Sequence, residues 1–157
     1  MTVVSNTTPL NYLILIGRVD LLSKLYGSVI IPEAVFNELT APSTPRLVRD
    51  WIANKPSWLL IQQAPQVISA ETAEVQIGER EAIELAKSVG SNYVLLDDRR
   101  ARRAAKHHGV NVVGTLGILV SAADKGLTNL NDAINDLKQT NFRASHRLFE
   151  SLTNPEN

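Results

Sequence analysis

The chain has 157 residues, a length that suits one domain and buries a core without disulfides or structural metals. It contains no cysteine, which excludes a disulfide framework, a thiolate metal site and a cysteine nucleophile. Its 16 basic and 16 acidic residues sum to zero, which argues against a DNA-coating protein but not against a local basic patch. We find no basic leader, and the longest apolar run, 12–16, is too short to span a bilayer, so we expect a cytoplasmic protein without membrane contact.

Short apolar strands alternate with amphipathic helices in the first half of the chain. Asn6 and the residues after it can cap a helix, and Pro9 fits a first helical turn. Gly27 is suited to ending the helix before it. The predicted elements are a strand at 3–4, a helix that starts at 6–9, a helix at 19–26, a strand at 28–32, a helix after Pro32, an amphipathic helix at 44–55 with Leu47, Val48, Trp51 and Ile52 as its apolar face, and an edge strand at 59–61.

The second half follows the same alternation after a polar stretch at 62–76 that has no firm periodicity. The predicted elements are a helix from 79 that stops at Gly90, a strand at 93–96, a basic helix at 99–108, a strand at 110–113, a helix from 115 through 123, and two short helices at 130–137 and 148–152. We find no repeat and no linker, so we expect one domain over 1–152 and a disordered tail over 153–157.

This alternation predicts βα units and an α/β fold with a mostly parallel sheet. In such sheets functional groups collect beyond the carboxyl ends of the strands. That rule singles out Asn6, Asp97 and the Gly114-Thr115 turn as candidate site positions.

Two adjacent carboxylates, Asp97 and Asp98, follow the predicted strand at 93–96. Such a position is typical of a ligand at a strand end, but an aspartate there is also a common cap of the next helix. Both interpretations can hold together, with Asp97 as the ligand and Asp98 as the cap.

Three glutamates have a simple structural explanation when each is considered alone. Glu79 and Glu81 place negative charge at the positive end of a predicted helix, and Glu38 would ordinarily be a solvated helix residue. Taken with the aspartates, however, they form the kind of oxygen-rich cluster that Mg²⁺ requires for phosphodiester cleavage.

The predicted helix at 99–108 is strongly basic. Arginine binds phosphate with a bidentate fork, although a solvated face is the commoner explanation of a charge run. Because Arg102 and Arg103 are adjacent, only some of these side chains can face one groove. The basic residues are Arg99, Arg100, Arg102, Arg103, Lys106, His107 and His108, and we assign the two histidines only to the favourable charge at the helix end.

Five segments in register resemble PIN-domain proteins, specifically the VapC-like toxins, whose opening reads V-V-S-D-T-S-P-L. The opening here reads Val3-Val4-Ser5-Asn6-Thr7-Thr8-Pro9-Leu10. The further matches are Ile30-Ile31-Pro32 with Val35 and Glu38-Leu39, then Gly78-Glu79-Arg80-Glu81-Ala82-Ile83 with Leu85-Ala86, then Leu95-Leu96-Asp97-Asp98 with Arg102 and Ala105, and Gly114-Thr115-Leu116-Gly117-Ile118-Leu119.

The resemblance implies a three-layer α/β/α domain that acts as an Mg²⁺- or Mn²⁺-dependent endoribonuclease. It also implies the toxin of a toxin–antitoxin pair, with RNA as substrate, a cognate antitoxin protein as partner and a homodimer as the assembly. The apolar residues of the first helices could form the dimer interface as easily as a core: Leu13, Ile14, Ile16, Leu21, Leu22 and Leu25.

The functional residues that the resemblance implies are spread along the chain. The acidic quartet of the family falls on Asn6, Glu38, Glu79 and Asp97, which are the implied catalytic residues and metal ligands. Asp98 is a further metal-ligand candidate, and Asp98 and Glu81 replace quartet members if the register slips. The implied RNA contacts are Thr7, Arg99, Arg100, Arg102 and Arg103.

The first quartet position departs from the family, because Asn6 offers a neutral carbonyl oxygen where an aspartate would supply a charge. We therefore expect weaker Mg²⁺ binding and impaired or lost activity. The departure is either natural or a deliberate Asp→Asn replacement in a toxic nuclease, and the intact remaining positions favour the second. An alternative function is an inactive RNA- or antitoxin-binding module, and a metal-dependent phosphatase is a third.

Overall fold

Five parallel strands form the centre of the protein in the computed structural model, which describes residues 2–67, 70, 72–91, 93–144 and 146–153. The strand order across the sheet is β3-β2-β1-β4-β5, so β1 lies in the middle. Every pairing between neighbouring strands is parallel, which confirms the predicted sheet type. The strands are β1 Thr2–Ser5, β2 Ser28–Pro32, β3 Leu59–Gln62, β4 Tyr93–Leu95 and β5 Asn111–Val113.

Helices connect and cover these strands. In the described part of the chain they are α1 Thr7–Leu15, α2 Leu21–Tyr26, α3 Glu33–Leu39, α4 Arg46–Ala53, α5 Ile77–Val89, α6 Arg99–His107, α7 Thr115–Asp124, α8 Leu130–Lys138 and α9 His146–Thr153. The predicted elements are therefore confirmed in kind and order, with ends that differ by one or a few residues. None of these helices is long and apolar enough to cross a membrane.

Successive strand residues alternate between two hydrophobic cores, which makes the fold three-layered. Val3 and Val29 pack on the side of α1, α2, α4, α7 and α8, whereas Val4 and Ile30 pack on the side of α5 and α6. Since both faces of the sheet are buried, its strands have continuous apolar runs in the sequence. The predicted α/β/α architecture with a central parallel sheet is confirmed.

The apolar residues of the first two helices belong to this core. Leu13, Ile14, Leu21 and Leu22 are buried, and Ile16 and Leu25 are half-buried against the same cluster. These side chains therefore give no support to a dimer interface, and the homodimer stays a prediction.

Helix α4 differs from its prediction. It spans Arg46–Ala53 rather than 44–55, and Leu47, predicted on its apolar face, is 56% exposed. Val48 and Ile52, four residues apart on one side of the helix, are the buried pair. The prediction for Leu47 was wrong because a short helix over the core buries only a narrow stripe.

The last residues of the chain belong in part to α9, which ends at Thr153. The rest of the predicted tail, 154–157, lies outside the described residues, so the domain boundary stays a prediction.

Candidate metal centre and nucleic-acid interface

The carboxyl ends of β1 and β4 lie side by side at one edge of the sheet. Ser5 pairs with Leu95, and the backbone N–H of Asn6 donates to the Leu95 carbonyl at 2.9 Å. Asn6 and Asp97, which come from opposite halves of the sequence, are therefore brought to the same edge. The strand-end rule predicted this position for both residues.

A pocket of about 250 Å³ opens beside the end of β1. Its lining comes from the start of α1, the end of α3, the start of α5 and the residue before α6. We call it the acidic pocket, and it is lined by Asn6, Thr7, Thr8, Glu38, Gln76, Glu79 and Asp98.

Asn6 lies in this pocket with an unsatisfied oxygen. It occupies the N-cap position of α1, but its side chain makes no capping hydrogen bond, contrary to the capping role that the sequence suggests. The residue is 4% exposed, and its buried Oδ1 atom has no hydrogen-bond partner among the residues that the structure describes. Leaving such an acceptor unpaired costs about 1–3 kcal/mol, so the site is suited to a ligand that would bind this oxygen.

Glu38 is held towards the pocket by two features of the sequence. The hydroxyl of Thr7 donates to its Oε2 at 2.5 Å, a charge-assisted hydrogen bond that joins α1 to α3. At Gly78, in the first turn of α5, an added Cβ would collide with the Glu38 carboxylate. A side chain at this position would therefore require the Glu38 carboxylate to move.

Glu79 closes the pocket from the start of α5. Its Oε1 accepts the backbone N–H of Gln76 at 3.3 Å and completes a capping box with the Gln76 side chain. Burial raises the pKa of the Glu79 carboxyl, and the nearby carboxylates of Asp98 and Glu38 raise it further, partly offset by the Gln76 hydrogen bond. The carboxylates of Glu38, Glu79 and Asp98 therefore line the same small pocket.

Asp97 lies at the boundary of the acidic pocket and faces a different set of residues. Its Oδ1 accepts the backbone N–H of Thr115 at 2.9 Å, and its Oδ2 accepts the Thr115 hydroxyl at 2.6 Å. Burial raises the pKa of Tyr12, and Asp97 raises it further while Arg143 opposes the change. Asp97 therefore lies near the Tyr12 phenol, and it is not among the residues that line the acidic pocket.

A larger cavity of about 660 Å³ lies on this second side. We call it the arginine cavity, and it is lined by Asp97, Arg99, Arg102, Gly114, Leu116, Gly117, Val120, Phe142, Arg143, Ala144, Leu148 and Leu152. Its rim carries guanidinium groups and its wall is mostly apolar.

The four arginines predicted to bind RNA divide between two cavities. Arg99 and Arg102 line the arginine cavity, and Arg102 also donates from its Nε to the Leu96 carbonyl at 3.3 Å. Arg100 and Arg103 line a separate cavity of about 530 Å³ together with His107. Only two of the four arginines therefore line the same cavity, as the geometry of the helix predicted.

The other predicted acids have structural partners. Asp98 accepts the Ala101 N–H at 3.0 Å through its Oδ2 and so caps α6, while it also lines the acidic pocket. Glu81 is buried and accepts the Ala34 N–H at 3.2 Å at the start of α3, outside the pocket. Of the two reserve candidates, the fold brings only Asp98 to the other acids.

Sequence reasoning missed Gln76, Phe142 and Arg143. Gln76 falls in the polar stretch without periodicity, and its only signal is its spacing to Glu79, three residues later, as in a capping box. Phe142 and Arg143 precede the last helix, and nothing in their local pattern relates them to Asp97.

The acidic pocket offers oxygen donors, the type of ligand that a hard divalent cation takes. Among the described residues, no three His, Cys, Asp or Glu side chains stand close enough together to hold a metal ion. The amide oxygen of Asn6 is a further neutral donor beside Glu38, Glu79 and Asp98. Mg²⁺ and Mn²⁺ prefer oxygen ligands and need few direct carboxylates, so an unpartnered buried oxygen among three acids suits them.

We compared the chain with known proteins. No curated protein and no solved structure matches it. A family model, DUF3368, which is described as a PIN domain, matches residues 2–154. PIN domains are generally nucleases that use divalent metals, and membership suggests RNA binding. Because the match covers nearly the full length and the fold agrees with it, the chain belongs to the PIN-domain family.

Proposed function

We propose that this protein is a divalent-metal-dependent endoribonuclease whose metal is held in the acidic pocket. The observation that carries the proposal is the unpartnered Oδ1 of Asn6, which is buried in a pocket with Glu38, Glu79 and Asp98. A purely structural cluster would be expected to satisfy that oxygen internally, because buried polar groups are nearly always paired.

The proposed roles follow from the contacts of each side chain. Asn6, Glu38, Glu79 and Asp98 hold Mg²⁺ or Mn²⁺, and Thr7 keeps Glu38 in place through its hydroxyl. When bound, such an ion supplies charge stabilisation and an activated water for phosphodiester hydrolysis.

Asp97 lines the arginine cavity, and Thr115 fixes both of its carboxylate oxygens. We assign it to the catalytic set at the edge of the metal centre, in line with the family resemblance. Arg99 and Arg102, beside it, bind the phosphates of the RNA strand.

RNA cleavage with Mg²⁺ or Mn²⁺ tests the proposal, with the chain compared with its Asn6→Asp variant. A fourth carboxylate should strengthen metal binding, so we expect the variant to cut faster and to bind Mn²⁺ more tightly in calorimetric titrations. Asn54→Asp, on the surface after α4, is a control for added charge. If neither the chain nor Asn6→Asp cuts RNA and neither binds Mn²⁺, the acids are structural and the proposal is wrong.

A second candidate function is an RNA- or antitoxin-binding module without activity. The neutral side chain of Asn6 favours it, because one negative ligand fewer weakens the hold on a divalent cation. RNA binding by this chain without cleavage, together with cleavage by Asn6→Asp, would assign it this role.

The resemblance to VapC-like toxins further supports a role as the toxin of a toxin–antitoxin pair, in the cytoplasm and as a homodimer. A toxin of this kind should arrest growth when expressed alone and should be neutralised by the product of a small neighbouring gene. Expression of Asn6→Asp with and without that gene tests the role.

A further inference from the structure

The arginine cavity combines a basic rim with an apolar wall, and the proposed function assigns no role to the wall. Three guanidinium groups, from Arg99, Arg102 and Arg143, line it with a single carboxylate, that of Asp97. Both oxygens of that carboxylate accept hydrogen bonds from Thr115, so it is already engaged within the fold. The cavity therefore carries an excess of positive charge, which favours an anionic ligand.

The rest of the wall is apolar and includes an aromatic ring. Leu116, Val120, Phe142 and Leu148 line the cavity. The Phe142 ring makes an edge contact with Tyr12, at 5.0 Å between centroids and 81° between planes. A second edge contact, with Phe149 at 6.5 Å, also fixes its orientation. A fixed ring beside aliphatic side chains is suited to receiving a flat aromatic group.

The size and position of the cavity limit what it can accept. Its volume of about 660 Å³ lies within the range of about 300–1,000 Å³ that is usual for small-molecule sites. It begins at Asp97, next in the chain to Asp98 of the acidic pocket. The two linings therefore meet at consecutive residues of the loop after β4.

We propose that the arginine cavity is a nucleotide subsite, which takes the base of a nucleotide next to the scissile phosphate against Phe142 and its aliphatic neighbours. Arg143 and Arg99 bind the phosphate of that nucleotide at the rim. This inference rests on the proposed nuclease function and deepens it. An unstacked base is available in single-stranded RNA, so the subsite would bind RNA in that form.

The test is an NMR titration of the full chain in EDTA with the four nucleoside 5′-monophosphates. Ribose 5-phosphate is the matched ligand without a base, and the backbone amides of Gly114, Gly117 and Ala144 are the reporters. We expect at least one nucleotide to bind on the order of tenfold more tightly than ribose 5-phosphate, since stacking of a base contributes that much. Equal binding of nucleotide and ribose 5-phosphate, or shifts only at other amides, would overturn the subsite.

Three variants sharpen the assignment. Leu148 is 44% exposed at the rim, so Leu148→Trp is expected to fold, as its melting curve will check, and to fill the cavity and abolish the preference for a base. Arg143→Gln should weaken nucleotide and ribose 5-phosphate equally, because both carry the phosphate. Lys125→Gln, at the other end of α7, removes a charge about 15 Å along the helix and should change nothing.

The outcomes separate this inference from the proposed function. If a nucleotide binds in the cavity but the chain cuts no RNA, the nucleotide site stands and the proposed nuclease function is wrong. If the chain cuts RNA but binds nucleotides and ribose 5-phosphate equally, the nuclease function stands and the subsite is wrong. If a short peptide of leucine and glutamate shifts the reporter amides and no nucleotide does, the cavity belongs to a protein partner and the inference is wrong.

Discussion

The acidic pocket and the arginine cavity lie at the same edge of the sheet, but they are built from opposite chemistry. Three carboxylates and two neutral amides line the first, whereas three guanidinium groups, the Asp97 carboxylate and an apolar wall line the second. The boundary between them falls between Asp97 and Asp98. Consecutive residues beyond a strand end point to different sides, so one short loop supplies both regions.

The two regions also differ in how fully their polar groups are satisfied. Asp97, on the cavity side, has both carboxylate oxygens bonded to Thr115, whereas Oδ1 of Asn6, in the pocket, has no partner. Thr115 therefore holds the Asp97 carboxylate in place within the fold, whereas the Asn6 oxygen is left available to a ligand.

The largest effect is expected from Glu38→Gln. The variant keeps an acceptor for the Thr7 hydroxyl but removes one of three charges, so Mn²⁺ binding and RNA cleavage should fall on the order of 100-fold or more. Glu33→Gln, an exposed residue on the same helix, is the matched control. If the heats of Mn²⁺ titration are the same in Glu38→Gln as in the unchanged chain, Glu38 is not a metal ligand.

The next effect concerns the cavity side, through Thr115→Val. This nearly isosteric change removes the hydroxyl that donates to Asp97 in a fully buried place, so the free energy of unfolding should fall by about 1.5–3 kcal/mol in urea titrations. Thr115→Ser keeps the hydroxyl and should lose much less. Equal losses in both variants would mean that packing of the methyl group, and not the hydrogen bond, stabilises this turn.

Two glycine variants separate the regions more finely. In Gly78→Ala the new methyl group displaces the Glu38 carboxylate, so Mn²⁺ affinity should fall on the order of tenfold. In Gly114→Ala the new methyl group meets the side chains of Arg102 and Asp97, so the affinity for a nucleotide should fall and that for Mn²⁺ should not. Calorimetry with Mn²⁺ and NMR with a nucleotide, applied to both variants, should give opposite patterns. Identical patterns would contradict the division into two regions.

The smallest effect is expected from Glu79→Gln without metal. The raised pKa of Glu79 means that the folded state prefers the protonated carboxyl, so the charged form destabilises the fold at neutral pH. The variant should therefore have a slightly higher Tm at pH 7, and the gain should vanish as the pH falls below the ordinary glutamate pKa of about 4.3. Saturating Mn²⁺ should reverse the order, because the ion favours the charged carboxylate. A gain that is independent of pH would show that charge is not its cause.

Much of the fold could be predicted from the sequence because its signals are local. Runs such as Val29-Ile30-Ile31 indicate strands buried on both faces, and Gly90, with a φ of 67°, ends α5 where the periodicity predicted. The strand-end rule was enough to predict Asn6 and Asp97 as site positions at the carboxyl edge of the sheet. The resemblance added Glu38 and Glu79, which composition and spacing alone left as ordinary helix residues.

How these positions combine could not be predicted, because it depends on the packing of the whole fold. The strand order, the separation of Asp97 from Asp98 and the inclusion of Phe142 and Arg143 depend on contacts between residues distant in the sequence. The exposure of Leu47 also depends on which part of the core α4 covers. Hydrophobic periodicity is a one-dimensional signal that determines which face of an element is buried. Which side chains then meet beyond the ends of the strands is determined by the packing of all three layers.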